Sequence, residues 1–372
     1  MSITTINPSE YPQLLAAKVA NISEQFTDMS MPTPEVFPSS SSHYRLRAEF
    51  RIWHEANNIY YAMFDPAEPK IPVKVDNFNI ASENIYVLMR PLLESLSEQE
   101  ILKNRLFQIE FLSTLSGDML ITLIYHRRLD DHWESAAREL SSKHNIQIIG
   151  RSKKQKIVLD HDYVTEQLPV DGKQYAYKQY EGGFTQPNGE INAQMISWAK
   201  ARCGNKPNSD LLELYCGNGN FTIPLAAHFR RVLANEISKT SVKAALENFA
   251  MNDVENALVL RMSSEELTSA LNKEREFRRL QGIDLEEYAI DTVLVDPPRA
   301  GLDASTRELI SQFENIIYIS CNPQTLLRDM QILTKTHHTN NFAMFDQFPY
   351  THHMECGVYL TSRTEHDSKT DG

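Results

Sequence analysis

Cysteine is scarce in this chain, with four in 372 residues: Cys203, Cys216, Cys321 and Cys356. Four are too few for a disulfide framework. No two of them form a CxxC pair, which argues against a zinc ribbon or a cysteine-held iron–sulfur cluster. Long apolar runs are missing too. None approaches the roughly 20 residues that span a bilayer. The N-terminal stretch MSITTINPSEYPQLLAAKVANISEQF has no basic region ahead of an apolar one. It reads as an amphipathic helix from about Ser9 rather than a secretion signal, so the expected compartment is the cytoplasm. Positive charge is also short. Against 49 acidic residues stand 37 Lys and Arg, a formal net charge of −12, which excludes a protein that simply coats nucleic acid.

What positive charge there is comes in local runs. HYRLRAEFRIWH (43–54) holds Arg45, Arg47 and Arg51, and KHNIQIIGRSKKQK (143–156) holds Lys143, Arg151, Lys153, Lys154 and Lys156. Each run is either a solvated face or a local grip on RNA. Phe50 and Trp53, beside the first run, are either stacking residues or core.

Two halves differ in pattern. MPTPEVFPSSSS (31–42) is rich in Pro and Ser and reads as a linker. Strand-like segments follow, YRLRAEFRIW, NIYYAMF, LFQIEFLST and MLITLIYH, with a helix over NIYVLMRPLLESL that Pro91 breaks or starts. DDHWESAARELSSKH is helical, capped by Asp130 or Asp131. From about residue 181 strands and helices alternate strictly, the pattern of a doubly wound parallel sheet. The expected class is α/β: an N-terminal α+β antiparallel domain over 1–180, whose first 42 residues are helix and linker, then a Rossmann-like domain over 181–362 and a polar tail over 363–372.

Ligands of such sheets sit beyond the carboxyl ends of the strands, and the unusual residues of the second half fall there. ELYCGNGNF sets Gly217 and Gly219 between a strand and a helix, and Glu236 ends the next strand. Such a carboxylate can accept both ribose hydroxyls of a nucleoside cofactor. The third glycine of a dinucleotide loop is replaced by Thr222. A pyrophosphate needs the helix N-terminus that such a loop opens, whereas S-adenosylmethionine carries no phosphate and is the favoured ligand.

IIYISCNP (316–323) ends an apolar strand on Cys321, 25 residues after Asp296 of DPPRAG. A lone cysteine is commonly a small core residue. Here the strand end, the turn forced by Pro323, and Glu355 in FPYTHHMECGVYL point to chemistry instead. Uracil C5 is a poor nucleophile. A thiolate added at C6 turns the ring into an enolate that accepts a methyl group at C5, and a base must then take the C5 proton. Cys321 is the expected nucleophile and Glu355 the expected base. The group that favours the thiolate cannot be read from the sequence.

DPPRAGLD, IIYISCNPQT and FDQFPYTHHMEC together resemble the S-adenosylmethionine-dependent RNA uracil-5 methyltransferases. RAEFRIWH, LFQIEFLST and GGFTQPN are similar to the branch of that family that forms ribothymidine in the T-loop of tRNA, and the likeness runs from about residue 40 to 362. The resemblance implies a class I methyltransferase domain behind an RNA-binding domain, with Cys321 as nucleophile and Glu355 as proton acceptor. It assigns S-adenosylmethionine contacts to Gln186, Tyr215, Asn220, Glu236 and Asp296, and RNA contacts to Arg51 and Phe107. It implies the T-arm of tRNA as substrate, with transfer-messenger RNA left open, and no membrane, metal or iron–sulfur cluster. EGG (181–183) departs from the more polar pair expected there, which bears on Gln186. Nothing in the sequence demands a dimer, so a monomer is expected. Three other readings stand beside this one: an rRNA uracil-5 methyltransferase, a tRNA-folding protein in which methylation is secondary, and an amino-methyltransferase using DPPR at Asp296. Against the last stand Arg299 in place of a stacking aromatic residue and a thiol that such chemistry does not need.

Overall fold

In the computed structural model, residues 6–65 and 67–363 are described, so most of the expected polar tail, 364–372, lies outside them. The chain begins with helix α1 (Tyr11–Gln25) and strands β1 (Glu35–Phe37), β2 (Arg47–Glu55), β3 (Asn58–Phe64) and β4 (Pro72–Lys74). Next come α2 (Glu83–Glu98), α3 (Glu100–Lys103), β5 (Leu106–Ser113), β6 (Met119–Tyr125), α4 (Asp131–His144), β7 (Gln147–Ser152) and β8 (Gln155–Val158). A two-stranded ribbon, β9 (Tyr163–Val170) and β10 (Lys173–Tyr180), precedes α5 (Gly189–Cys203) and β11 (Lys206–Leu214). The remainder is α6 (Thr222–Ala226), β12 (Phe229–Asn235), α7 (Lys239–Met251), β13 (Ala257–Leu260), α8 (Ser264–Leu271), β14 (Ile290–Val295), α9 (Ala304–Ile310), β15 (Asn315–Ser320), α10 (Pro323–Leu333), β16 (His337–Phe345) and β17 (Glu355–Ser362). Among the described residues no helix is long and apolar enough to cross a membrane.

The chain forms two compact units. Among the described residues, one holds residues 6–10, 40–168 and 178–190, the other 11–39, 169–177 and 191–363. The boundaries therefore differ from a simple cut at 180. Residues 11–39, expected in the N-terminal domain, go with the second unit. The expected linker contains β1, which pairs in parallel with β16 through Glu35↔Ala343 and Phe37↔Phe345. Prolines flanking a short extended segment suit an edge strand as well as a linker, and the Phe37 and Phe345 rings stack at 4.6 Å.

The first unit is a seven-stranded sheet in the order β4-β3-β2-β5-β6-β7-β8. Its pairs are antiparallel except β6 with β7, joined in parallel through α4. The Asp130 carboxylate accepts from Trp133 N at 2.9 Å and so caps α4. Strand β2 alternates strictly, burying Ala48, Phe50 and Ile52 and exposing Glu49, Arg51 and Trp53. Helix α2 runs straight through Pro91. A mid-helix proline costs about 3 kcal/mol, and the buried stripe Ile85, Leu88, Met89, Leu92 and Leu96 outweighs it.

The second unit is an eight-stranded sheet in the order β1-β16-β17-β15-β14-β11-β12-β13. β17 alone runs against its neighbours, β15 and β16. Every residue of β15 is buried and the last four of β14 are, which explains why these strands read as near-continuous apolar runs. β11 lies between β12 and β14, so strand order reverses there, and the crevice at that point is where open α/β sheets take their ligands.

Candidate active site

β14 and β15 are parallel, with Val295 opposite Tyr318, so Asp296 and Cys321 leave the sheet at the same end. β15 and β17 are antiparallel, with Ser320 opposite Cys356. The next residue outward on each strand is Cys321 on one and Glu355 on the other. The expected nucleophile and the expected base are thus facing neighbours across two strands, although 34 positions separate them in the chain. Cys321 is partly exposed, while Cys203, Cys216 and Cys356 are buried. Glu355 is only 5% exposed.

Burial pushes the Cys321 thiol up to about 11, and the Glu355 and Asp296 carboxyls push the same way, while Arg299 pulls it down. Glu355 is raised to about 8 by burial and then by Asp296, with Arg299 again opposing. Asp296 rises to about 7 by burial alone. The carboxyls of Asp296 and Glu355 thus oppose ionisation of the thiol, and Asp296 opposes that of Glu355. Arg299 is the cation that favours both the thiolate and the Glu355 carboxylate.

Arg299 is held from its backbone. Its carbonyl accepts from Asn322 Nδ2 at 3.1 Å and Thr325 Oγ1 at 3.3 Å, and its guanidinium lies 3.4 Å from His353 Nε2. Asn322 also caps α10, accepting from Gln324 N at 3.1 Å, with Pro323 at the first helical position. Cys321 therefore sits one residue ahead of the cap of an eleven-residue helix, whose free N–H groups favour negative charge.

The glycine loop follows β11. Gly217 has φ +57 and a Cβ there would meet nothing within 4 Å, so its backbone borders open space. Gly219 has φ +85, and a Cβ there would strike Phe249 at 2.8 Å. Glu236 spans the loop, with Oε2 accepting from Gly217 N at 3.1 Å and Oε1 from Ser238 N at 2.6 Å. Tyr215 takes a left-handed φ of +66, and its hydroxyl accepts from Ser264 Oγ at 2.7 Å. Asn220 exchanges two hydrogen bonds with Asn192, at 2.9 and 2.8 Å, and its carbonyl accepts from Tyr177 OH at 3.0 Å. Behind the loop Glu213 is buried and raised to about 8 by desolvation, with Thr222 opposing the shift. An open glycine cradle and a carboxylate aimed across it fit a polar nucleoside ligand. Gln186 belongs to the first unit, in the turn before α5.

The first unit brings Arg51 and Phe107 together. They lie on adjacent strands, with the guanidinium 3.5 Å above the Phe107 ring centroid. Phe107 also stacks with His126 at 3.8 Å. Phe50 is buried at 2% exposure and cannot stack on a base, whereas Trp53 is 38% exposed on the open face.

A profile of the tRNA (uracil-5-)-methyltransferase family matches residues 10–363. The chain belongs to that family. It is 56% identical over 363 residues to the tRNA/tmRNA (uracil-C(5))-methyltransferase of Aromatoleum aromaticum, covering 98% of each chain. The enzyme of that name from Pseudomonas entomophila is 53% identical over 96% of this chain and 99% of its own. The crystal structure of Pyrococcus abyssi tRNA (uracil-54, C5)-methyltransferase in complex with S-adenosyl-L-homocysteine superposes with a TM-score of 0.71 at 20% identity, over 94% of this chain and 83% of that one. That likeness is one of fold, a Rossmann-like class I methyltransferase domain behind an α+β domain.

For this member of an enzyme family, sequence reasoning left several site residues unmarked. Arg299 stands inside the quoted DPPR string, and its cationic role needed its position beside Cys321. Glu213 could have been suspected, as an acid inside the buried apolar run LLEL that ends β11. Asn192, Tyr177 and His126 carried no local signal, because each acts on a residue far away in the chain.

Proposed function

We propose that this protein transfers the methyl group of S-adenosylmethionine to C5 of the T-loop uridine of tRNA, position 54, giving 5-methyluridine, and that it also accepts transfer-messenger RNA. The observation that carries this reading is the facing pair Cys321 and Glu355 at the strand ends, beside Asp296 and Arg299. S-Adenosylmethionine supplies the methyl group, held by Gln186, Tyr215, Asn220, Glu236 and Asp296. Arg51 and Phe107 contact the RNA. Relatives more than half identical carry a tRNA/tmRNA name, which favours tRNA over rRNA.

The chemistry of the chain's own groups closes. The Cys321 thiolate forms an Sγ–C6 bond with uracil and moves the ring's electron pair into an enolate, so that C5 can form its bond to the methyl carbon. The methyl–sulfonium bond of S-adenosylmethionine breaks in that step, and S-adenosylhomocysteine leaves with the electron pair of the broken bond. Glu355 then takes the C5 proton, the freed pair restores the C5=C6 double bond, and the thiolate leaves. A carboxyl raised to about 8 is basic enough for that step. Bonding of Cys321 to C6 also removes the thiolate charge beside Glu355, which favours the ionised carboxylate when it is needed. These steps require no metal ion or cluster. The reading includes a cytoplasmic monomer.

A trapping gel tests it. The protein, S-adenosylmethionine and a T-arm RNA with 5-fluorouridine at the target position are mixed and run denatured. Fluorine cannot leave as a proton does, so a covalent band is expected in the wild type and none in Cys321→Ala. No band from the wild type, with tRNA binding intact, overturns the assignment of Cys321.

A further inference from the structure

The basic run 143–156 is sorted by the structure into two kinds. Arg151 donates to both Glu181 oxygens at 2.6 Å, and Lys156 pairs with Asp162 at 2.6 Å. Those charges hold the first unit together. Lys153 and Lys154 are exposed and have no acidic partner among the described residues. They form the two-residue turn between β7 and β8, closed by Ser152 opposite Gln155. Such turns favour Gly or Asn, yet Lys154 adopts a left-handed φ of +60. A glycine would adopt that backbone without strain, and the turn carries a charged residue there instead.

The end of β6 brings more charge to the same place. His126, Arg127, Arg128, Arg151, Lys153 and Lys154 line one open cavity of about 980 Å³. Arg127 is fixed in position. Its guanidinium donates to the carbonyls of Asn104 at 3.0 Å, Arg128 at 3.1 Å and Ile101 at 2.5 Å, all of which leave its charge unneutralised. Arg128 is exposed. Of the acids nearby, Glu181 is paired with Arg151, and Asp130 caps α4 and lies within the field of Arg127 without an ion pair to it. This is a concentrated positive surface on a chain whose net charge is −12. His126 connects it to the neighbouring cavity of about 360 Å³, which Phe107 lines.

We infer that this surface is a second RNA-binding region, a phosphodiester-backbone track that continues from the Phe107–His126 stack across Arg127 and Arg128 to the Lys153–Lys154 turn. It rests on the RNA substrate proposed above. It reads no bases. It neutralises phosphates and fixes the register of a folded RNA, which lets a chain of net negative charge grip tRNA locally.

The test is a charge reversal in the full chain, Arg128→Glu with Lys153→Glu and Lys154→Glu. The control carries Arg275→Glu, Arg278→Glu and Lys335→Glu, the same change of net charge placed in the other unit. Dissociation constants for unmodified tRNA are measured at several salt concentrations, with S-adenosylmethionine affinity as the check that each variant is folded. Relative to the control, the test variant is expected to bind tRNA at least about tenfold more weakly near physiological salt. Its log–log salt slope should be shallower by about 0.9 for each phosphate that is no longer neutralised. Equal affinity and slope in the two variants, or weaker binding with an unchanged slope, overturns the phosphate track. Failure of the wild type itself to bind tRNA overturns the functional reading instead.

Discussion

Lys18 and Asp346 form a buried ion pair at 2.5 Å, with side chains 8% and 0% exposed, across 328 positions of sequence. All three ammonium hydrogens of Lys18 are used, since Nζ also donates to the carbonyls of Phe348 at 3.1 Å and His353 at 2.9 Å. Tyr11 OH donates to the other Asp346 oxygen at 2.8 Å and accepts from Ser39 N at 2.8 Å. Helix α1 thus ties together both ends of the irregular loop between β16 and β17, which ends at Glu355. Burial pulls the Lys18 ammonium below its usual value, and Asp346 pulls it back.

Removing one partner leaves an unpaired buried charge, which costs about 3–5 kcal/mol. Lys18→Met is therefore expected to lower the denaturant midpoint sharply. Lys18→Met with Asp346→Asn should cost clearly less than the two single changes added together, since the pair is broken only once. Strict additivity in urea titrations of the four proteins would show that the two groups do not interact.

Arg299 favours the anionic form of both Cys321 and Glu355. Arg299→Gln should raise the thiol further, so that adduct formation needs a higher pH. Each unit of displacement slows the step at neutral pH about tenfold. Single-turnover trapping on 5-fluorouridine RNA across pH 6–10 reads this directly. A profile that falls at neutral pH without moving along the pH axis would mean that Arg299 only shapes the pocket.

The fold and the catalytic pair differ in how legible they were. The β–α alternation after residue 181 and the strand-end positions of Cys216, Glu236, Asp296 and Cys321 follow from period and punctuation, which are local. The pairing of Cys321 with Glu355 depends on β17 entering the sheet antiparallel between β15 and β16, a placement that no local pattern fixes. The same holds for β1, whose Pro-flanked segment reads equally as linker or edge strand, and for Lys18, whose partner is most of the chain away. Trp53 and Phe50 were separable only after the phase of the β2 alternation was known, because one register step exchanges the two faces.

Glu355 gives a pH signature of its own. Its folded value is raised to about 8, above the ordinary carboxyl value near 4.3. The folded state therefore binds a proton that the unfolded state releases between those values. The resulting stability is fully present below about pH 4 and is lost as the pH rises through about 8. Glu355→Gln cannot ionise and loses nothing over that range. The difference in melting temperature, variant minus wild type, is expected to rise from pH 5 to pH 8. A flat difference would mean that Glu355 keeps an ordinary carboxyl value in the folded protein.

Glu236 is fixed by two backbone amides, Gly217 N at 3.1 Å and Ser238 N at 2.6 Å, so the carboxylate is oriented before any ligand arrives. Glu236→Ala should weaken S-adenosylmethionine binding at least about tenfold, roughly 1.4 kcal/mol, as expected for loss of a charge-assisted hydrogen bond. Glu236→Gln keeps the side chain's size and one oxygen but loses the charge, and is expected to fall between wild type and Ala. Gly217→Val is a different kind of change. At φ +57 a β-branched residue is strained, and its side chain would fill the open space beside the loop. Calorimetric titration of the three variants separates the contributions. Affinity unchanged in Glu236→Ala but abolished in Gly217→Val would mean that the cradle binds by shape and the carboxylate only braces the loop.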